Sequence, residues 1–95
     1  MNEAREADKI ITAISLSPNP AQDKVKIILT GYSGNVILQL SSSDGRILQQ
    51  QKLNVVSAKL MQQQINVGSY ANGTYLVTAI DEKGNRQTER LVVDR

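Results

Sequence analysis

The chain contains no cysteine, histidine, phenylalanine or tryptophan. Without cysteine there is no disulfide and no thiol nucleophile; with histidine also absent, the usual zinc ligands are missing. The side chain most used for proton transfer near neutral pH is missing with them. Aromatic rings are limited to Tyr32, Tyr70 and Tyr75, so a core must be built from Val, Ile and Leu. Proline occurs twice, at Pro18 and Pro20. No apolar run approaches the roughly 18 residues that a membrane-spanning helix requires. The opening MNEAREADK lacks the apolar centre of a signal peptide; were the domain exported, its signal would be expected on a longer parent chain. The net charge of +2 is small and its basic residues are scattered among acidic ones, which argues against a nucleic-acid partner.

What is present fits one small domain of 95 residues. Met1–Lys9 is polar and lacks periodicity, the pattern of a linker or frayed tail; the domain is expected over residues 10–95. From Lys9 onward the apolar residues alternate with period two, the signature of half-buried strands. Strands are expected over Lys9–Leu16, Asp23–Leu29, Val36–Ser41, Ile47–Asn54, Lys59–Val67, Thr74–Ile80 and Arg86–Val93. Between them lie turn sequences: GYSGN at 31–35, SSDGR at 42–46, GSYANG at 68–73 and DEKGN at 81–85. Asp44-Gly45 is read as a two-residue hairpin turn, because glycine accepts positive φ. The connections are too short for crossover helices, which need about a dozen residues. Seven antiparallel strands hide their apolar faces best as two sheets packed together. The expected fold is therefore all-β: an antiparallel, immunoglobulin-like Greek-key β-sandwich without a disulfide, with a small barrel as the alternative.

Individual residues then acquire local roles. Pro18 and Pro20 each remove a backbone donor and press Ser17 and Asn19 into extended conformations. Ser-Pro-Asn-Pro therefore ends one strand and re-aims the chain into the next. Tyr75, just after Gly73, suits the tyrosine device of β-sandwiches, its ring at the core margin and its hydroxyl on nearby backbone. Tyr70 either plugs the end of the sandwich or is exposed. In the triplets Gln49–Gln51 and Gln62–Gln64, alternation must turn at least one amide inward or to a sheet margin. A weakly specified register there would allow an edge-paired or strand-exchanged homodimer. Ser41–Ser43 has no histidine to activate it, and DEKGN has too few oxygen ligands for a calcium loop. No catalytic residue, cofactor site or metal site is expected, and the chain is read as a non-enzyme.

Four motifs in order carry more than any one alone. LSPNPAQDKVKI is followed by SSDGR, then NGTYLVTAIDEKGN, then ERLVV. This order resembles the type IX secretion system C-terminal sorting domain of Bacteroidetes over about Ile14 to Arg95. The matching positions are Pro18, Asn19 and Pro20, then Asp44, Gly45 and Arg46, then Gly73 and Tyr75. The closing set is Arg90, Leu91, Val92, Val93 and Arg95. Ser17 stands where the family often has an aromatic, Tyr70 where it often has Leu, and Arg90 where it often has Lys. The resemblance implies a non-catalytic signal that directs attached cargo across the outer membrane. It implies passage through the periplasm to the outer membrane, cell surface or exterior. The implied partners are the outer-membrane translocon and shuttle components, and a cell-surface sortase that removes the domain and joins the cargo to lipopolysaccharide. The first eight motif residues are expected to shape the domain and the closing five to be recognised. The terminal strand is also expected to offer backbone groups for strand addition. The alternative function is a fibronectin- or immunoglobulin-like accessory or stalk module of an adhesin or glycosidase.

Overall fold

A computed structural model describes residues 12–55 and 61–95. It contains seven strands: β1 (Ala13–Ser17), β2 (Lys24–Thr30), β3 (Gly34–Ser42), β4 (Ile47–Val55), β5 (Met61–Asn66), β6 (Gly73–Asp81) and β7 (Arg86–Val93). All seven expected strands are present, and β7 has the expected bounds. The expected parts of β1 at residues 9–11 and of β5 at 59–60 lie outside the described residues. So do the expected tail at 1–9 and most of the loop after Val55.

The strands form two antiparallel sheets, ordered β1-β2-β5 and β4-β3-β6-β7. The hairpins β1–β2, β3–β4 and β6–β7 stay within one sheet, while the connections β2–β3, β4–β5 and β5–β6 change sheet. The result is an immunoglobulin-like Greek-key sandwich.

Alternation explains the core directly. Val25, Ile27 and Leu29 of β2 face Val36, Leu38 and Leu40 of β3, and all six are at most 1% exposed. Val77 and Ala79 of β6 and Leu91 and Val93 of β7 complete the second sheet's inner face. Fully burying each larger aliphatic side chain contributes about 1.5–3 kcal/mol, which offsets the scarcity of aromatic rings.

Tyr32 departs from its expected place. It lies in the sequence expected as a plain turn, yet it is 1% exposed and is the largest fully buried side chain. Its hydroxyl donates to Gln87 Oε1 at 3.0 Å, and Gln87 Nε2 donates to the Thr12 carbonyl at 2.7 Å. The hydrogen-bonded hydroxyl is what allows a phenol to sit in the interior.

The Asp44-Gly45 turn also differs. Gly45 N donates to the Ser42 carbonyl at 2.9 Å and Ser42 N to the Arg46 carbonyl at 2.8 Å. The loop thus holds Ser43, Asp44 and Gly45, with Gly45 at φ +96° after the turn. This is a three-residue hairpin in which glycine takes the left-handed bulge position, not a two-residue one. The β6–β7 hairpin repeats it: Gly84 N donates to Asp81 O at 3.2 Å and Asp81 N to Asn85 O at 3.0 Å.

Candidate functional site

The proline corner and the terminal strand meet. β7 pairs with β6 along one edge, from Gly73↔Val93 to Ile80↔Arg86. Its opposite edge, near the C-terminal end, would expose the Arg90 and Val92 carbonyls and the Val92 and Asp94 amides. The corner occupies all four. Asn19 Nδ2 donates to Arg90 O at 2.8 Å, and Val92 N donates to Asn19 Oδ1 at 2.9 Å. Ala21 N donates to Val92 O at 2.7 Å, and Asp94 N donates to Ala21 O at 2.9 Å. Asn19 therefore uses its side-chain amide as a substitute peptide group, and Ala21 continues as a parallel bridge to Val93.

Local chemistry explains why these residues stand there. Pro18 and Pro20 have no amide hydrogen to place against an edge. Both the Ser17–Pro18 and Asn19–Pro20 peptide bonds are cis. Between them, the asparagine side-chain amide presents both a donor and an acceptor. Ala21 is fully buried, so a small residue fits where the corner enters the sandwich.

The closing residues divide by function in the fold. Leu91 is fully buried and Val93 is 1% exposed. Val92 is half-buried, while Arg90 and Arg95 are exposed. Arg95 is nonetheless engaged: Nη1 donates to the Gln22 carbonyl at 2.7 Å and to Val67 O at 3.3 Å, and Nη2 donates to Tyr70 O. Its backbone amide donates to Asn72 Oδ1 at 3.1 Å. The strand addition expected along β7 meets an edge already filled from Arg90 to Asp94. The remaining stretch, around Gln87–Glu89, borders a cleft of about 230 Å³ shared with Ala13 and Ile14.

The other motif residues serve the frame. Tyr75 OH donates to the Ala71 carbonyl at 2.6 Å, the tyrosine-corner geometry of such sandwiches. Tyr70 packs against the core, its ring centroid 5.7 Å from that of Tyr75, and its hydroxyl accepts from Gln49 Nε2 at 2.8 Å. The Ser42 hydroxyl and the Arg46 amide both donate to Asp44 Oδ1. The Ser42 bond, followed by that of Arg46, holds the Asp44 carboxyl below its ordinary pKa. At Asp81 burial pushes upward, but hydrogen bonds from Asn85 and Lys83 and the charge of Lys83 outweigh it, so its pKa is lowered. Burial raises the Tyr32 pKa, assisted by the charge of Asp81 and opposed by a hydrogen bond with Thr12.

The pattern of signs is the feature that sequence reading missed. On the outer face of the four-stranded sheet, the side chains opposite the core include Gln50 and Lys52 of β4, Ile37 and Gln39 of β3, Leu76, Thr78 and Ile80 of β6, and Arg86, Thr88, Arg90 and Val92 of β7. The registers Ile37↔Lys52, Ile37↔Ile80 and Ile80↔Arg86 align one row across the sheet. The next row is Gln50, Gln39, Thr78 and Thr88, tied by an amide–amide bond of 3.0 Å and a hydroxyl–hydroxyl bond of 3.0 Å. Leu76↔Arg90 follows. These rows carry cations and no carboxylate. Only pairing register, which scatters these residues across four strands, brings them together. Among the described residues no group of three or more acidic side chains converges.

This Greek-key sandwich, with its terminal strand clasped by a proline corner, defines a small structural module. Residues 15–94 match the family described as "Secretion system C-terminal sorting domain", and the chain belongs to that family. Its members are signals for type IX secretion, so the chain is a sorting signal that works with the secretion machinery and is directed to the outer membrane or cell surface. Among solved structures it is similar to PorZ, described as an essential bacterial surface component of the type-IX secretion system of Porphyromonas gingivalis. The identity is 21% and the TM-score 0.62, over 87% of this chain and 12% of that one. No curated protein matches.

Proposed function

We propose that the folded domain, rather than a linear tail, is what the type IX machinery recognises on its cargo. The observation that carries this is the clasp: the first and last family motifs form a single hydrogen-bonded edge. In this reading Leu91 and Val93 act by seating β7 in the core, while Arg90, Val92 and Arg95 present the surface that is recognised. The Pro18–Pro20, Asp44–Arg46 and Gly73–Tyr75 motifs hold the shape. The cargo crosses the periplasm, is handed by shuttle components to the outer-membrane translocon, and a surface sortase then removes the domain and joins the cargo to lipopolysaccharide. The domain itself is non-catalytic. Homodimers, where they form, use the glutamine-bearing edges of β4 and β5.

The accessory-module alternative has no observation in its favour. Tyr32 is buried, and Tyr70 and Tyr75 are half-buried with their hydroxyls engaged, so no tyrosine row lies open for stacking on sugar. A reporter fused ahead of the chain, in a strain with this secretion pathway, tests the proposal. Surface delivery is expected for the intact domain, with loss on deleting Leu91–Arg95 and on Leu91→Asp, which unfolds β7 while leaving the rest of the sequence in place. Retention of the intact fusion in the periplasm, or full delivery by Leu91→Asp, would overturn it.

A further inference from the structure

We propose that the outer face of the β4-β3-β6-β7 sheet is a docking surface for an acidic protein partner, with Lys52, Arg86 and Arg90 as its contact cations. This rests on the sorting reading above and names the partner's chemistry. All three side chains are exposed. Register places Lys52 and Arg86 at the two ends of one row, and Arg90 lies four residues along β7 from Arg86. With strands about 4.8 Å apart and about 3.4 Å per residue, the cations mark a triangle with arms of roughly 14 Å.

Two things indicate an acidic partner. Strand positions on this face hold no carboxylate. The acidic side chains Asp23, Asp44, Glu82 and Asp94 lie in turns or beyond strand ends, Asp81 closes β6 at its turn, and Glu89 lies on the core-facing side of β7. Among the described residues, the strand positions of this face therefore supply no carboxylate to neutralise the cations, and Glu82, from the β6–β7 turn, accepts from Asn35 N at 2.7 Å instead. Such an unbalanced face attracts the opposite sign and accelerates encounter.

Two things favour protein over a polyanionic glycan or a lipid surface. The half-buried Ile37, Ile80, Leu76 and Val92 lie between the cations, and a mixed apolar and charged surface is the composition of a protein interface. No tyrosine is on this face to stack on sugar. A four-strand face of this size offers about 500 Å² at these spacings, below the roughly 800 Å² per partner of a stable complex. That suits transient recognition followed by release.

The experiment is charge reversal in the full chain fused to the same reporter. K52E/R86E/R90E should cut surface delivery at least about tenfold, while circular dichroism and the melting transition of the purified chain remain close to wild type. K24E/K26E, which reverses the exposed lysines of the opposite sheet, should leave delivery within about twofold. Wild-type delivery by the triple variant would overturn the proposal, as would an equal loss in K24E/K26E, which would mark a net-charge effect. Co-sedimentation with phosphatidylglycerol vesicles supplies the last arm. Binding that is lost in the triple variant would assign the face to lipid and overturn the protein partner. Failure of the intact fusion to be delivered would instead count against the sorting reading itself.

Discussion

Asn19 illustrates how one side chain can stand in for a stretch of strand. Its two bonds to β7 are exposed, and each such bond contributes about 0.5–1.5 kcal/mol. Asn19→Ala should therefore destabilise the domain by about 1–2 kcal/mol, read as a fall in denaturant midpoint at unchanged m-value. Asn19→Asp should not rescue it, because the carboxylate keeps the acceptor for Val92 N but loses the donor to Arg90 O. Tyr32→Ala is expected to cost more, about 3–5 kcal/mol, since it empties the largest buried site. The two turn carboxylates set the acid response. Folded-state pKa values of Asp44 and Asp81 lie below their unfolded values. Their stabilisation is thus complete above the ordinary carboxylate range, about pH 4, and is lost as pH falls through the folded values. Melting temperatures at pH 7 and pH 3 should differ less in Asp81→Asn than in the wild type, with a lower value at pH 7.

At the scale of elements, β7 was the most legible part of the sequence. The basic start, the alternating Leu91 and Val93, and the glycine turn before it fix both ends. The glutamine triplets were half legible. Alternation requires some amides to turn inward, and Gln51 and Gln63 do so, bridging the two sheets at 2.9 Å; their pairing to each other depends on how the sheets stack. The turn at Asp44-Gly45 was legible as a hairpin and not as a type, because one residue of loop length separates the two geometries. Tyr32 was hidden because turn composition says nothing about the direction of one ring. The edge-filling role of Asn19 was hidden for another reason: its partners lie 71 and 73 residues away. Within β7 the alternation makes a direct comparison. Leu91→Ala should cost about 2–5 kcal/mol, whereas Arg90→Ala, an exposed substitution, should stay within about 0.5 kcal/mol of wild type; urea unfolding of both variants checks this.

For the whole molecule, the fold class followed from strand spacing, while the distribution of charge over its faces did not. Patterning tells which side of each strand is wet, but only the order β4-β3-β6-β7 decides which wet sides share a surface. The most telling long-range feature is again the clasp. Closing a loop of that length costs about 4 kcal/mol of chain entropy, so it should form late in folding. Asn19→Ala is then expected to accelerate unfolding and to leave the refolding rate within about twofold, measured by stopped-flow in denaturant.

The clasp also sets a clock. On a ribosome adding about 5–20 residues per second, the 71 residues that follow Asn19, up to and including Arg90, take about 4–14 seconds to make. Throughout that interval the proline corner has no strand to hold, and the clasped edge does not exist. A chain that stops early never acquires it.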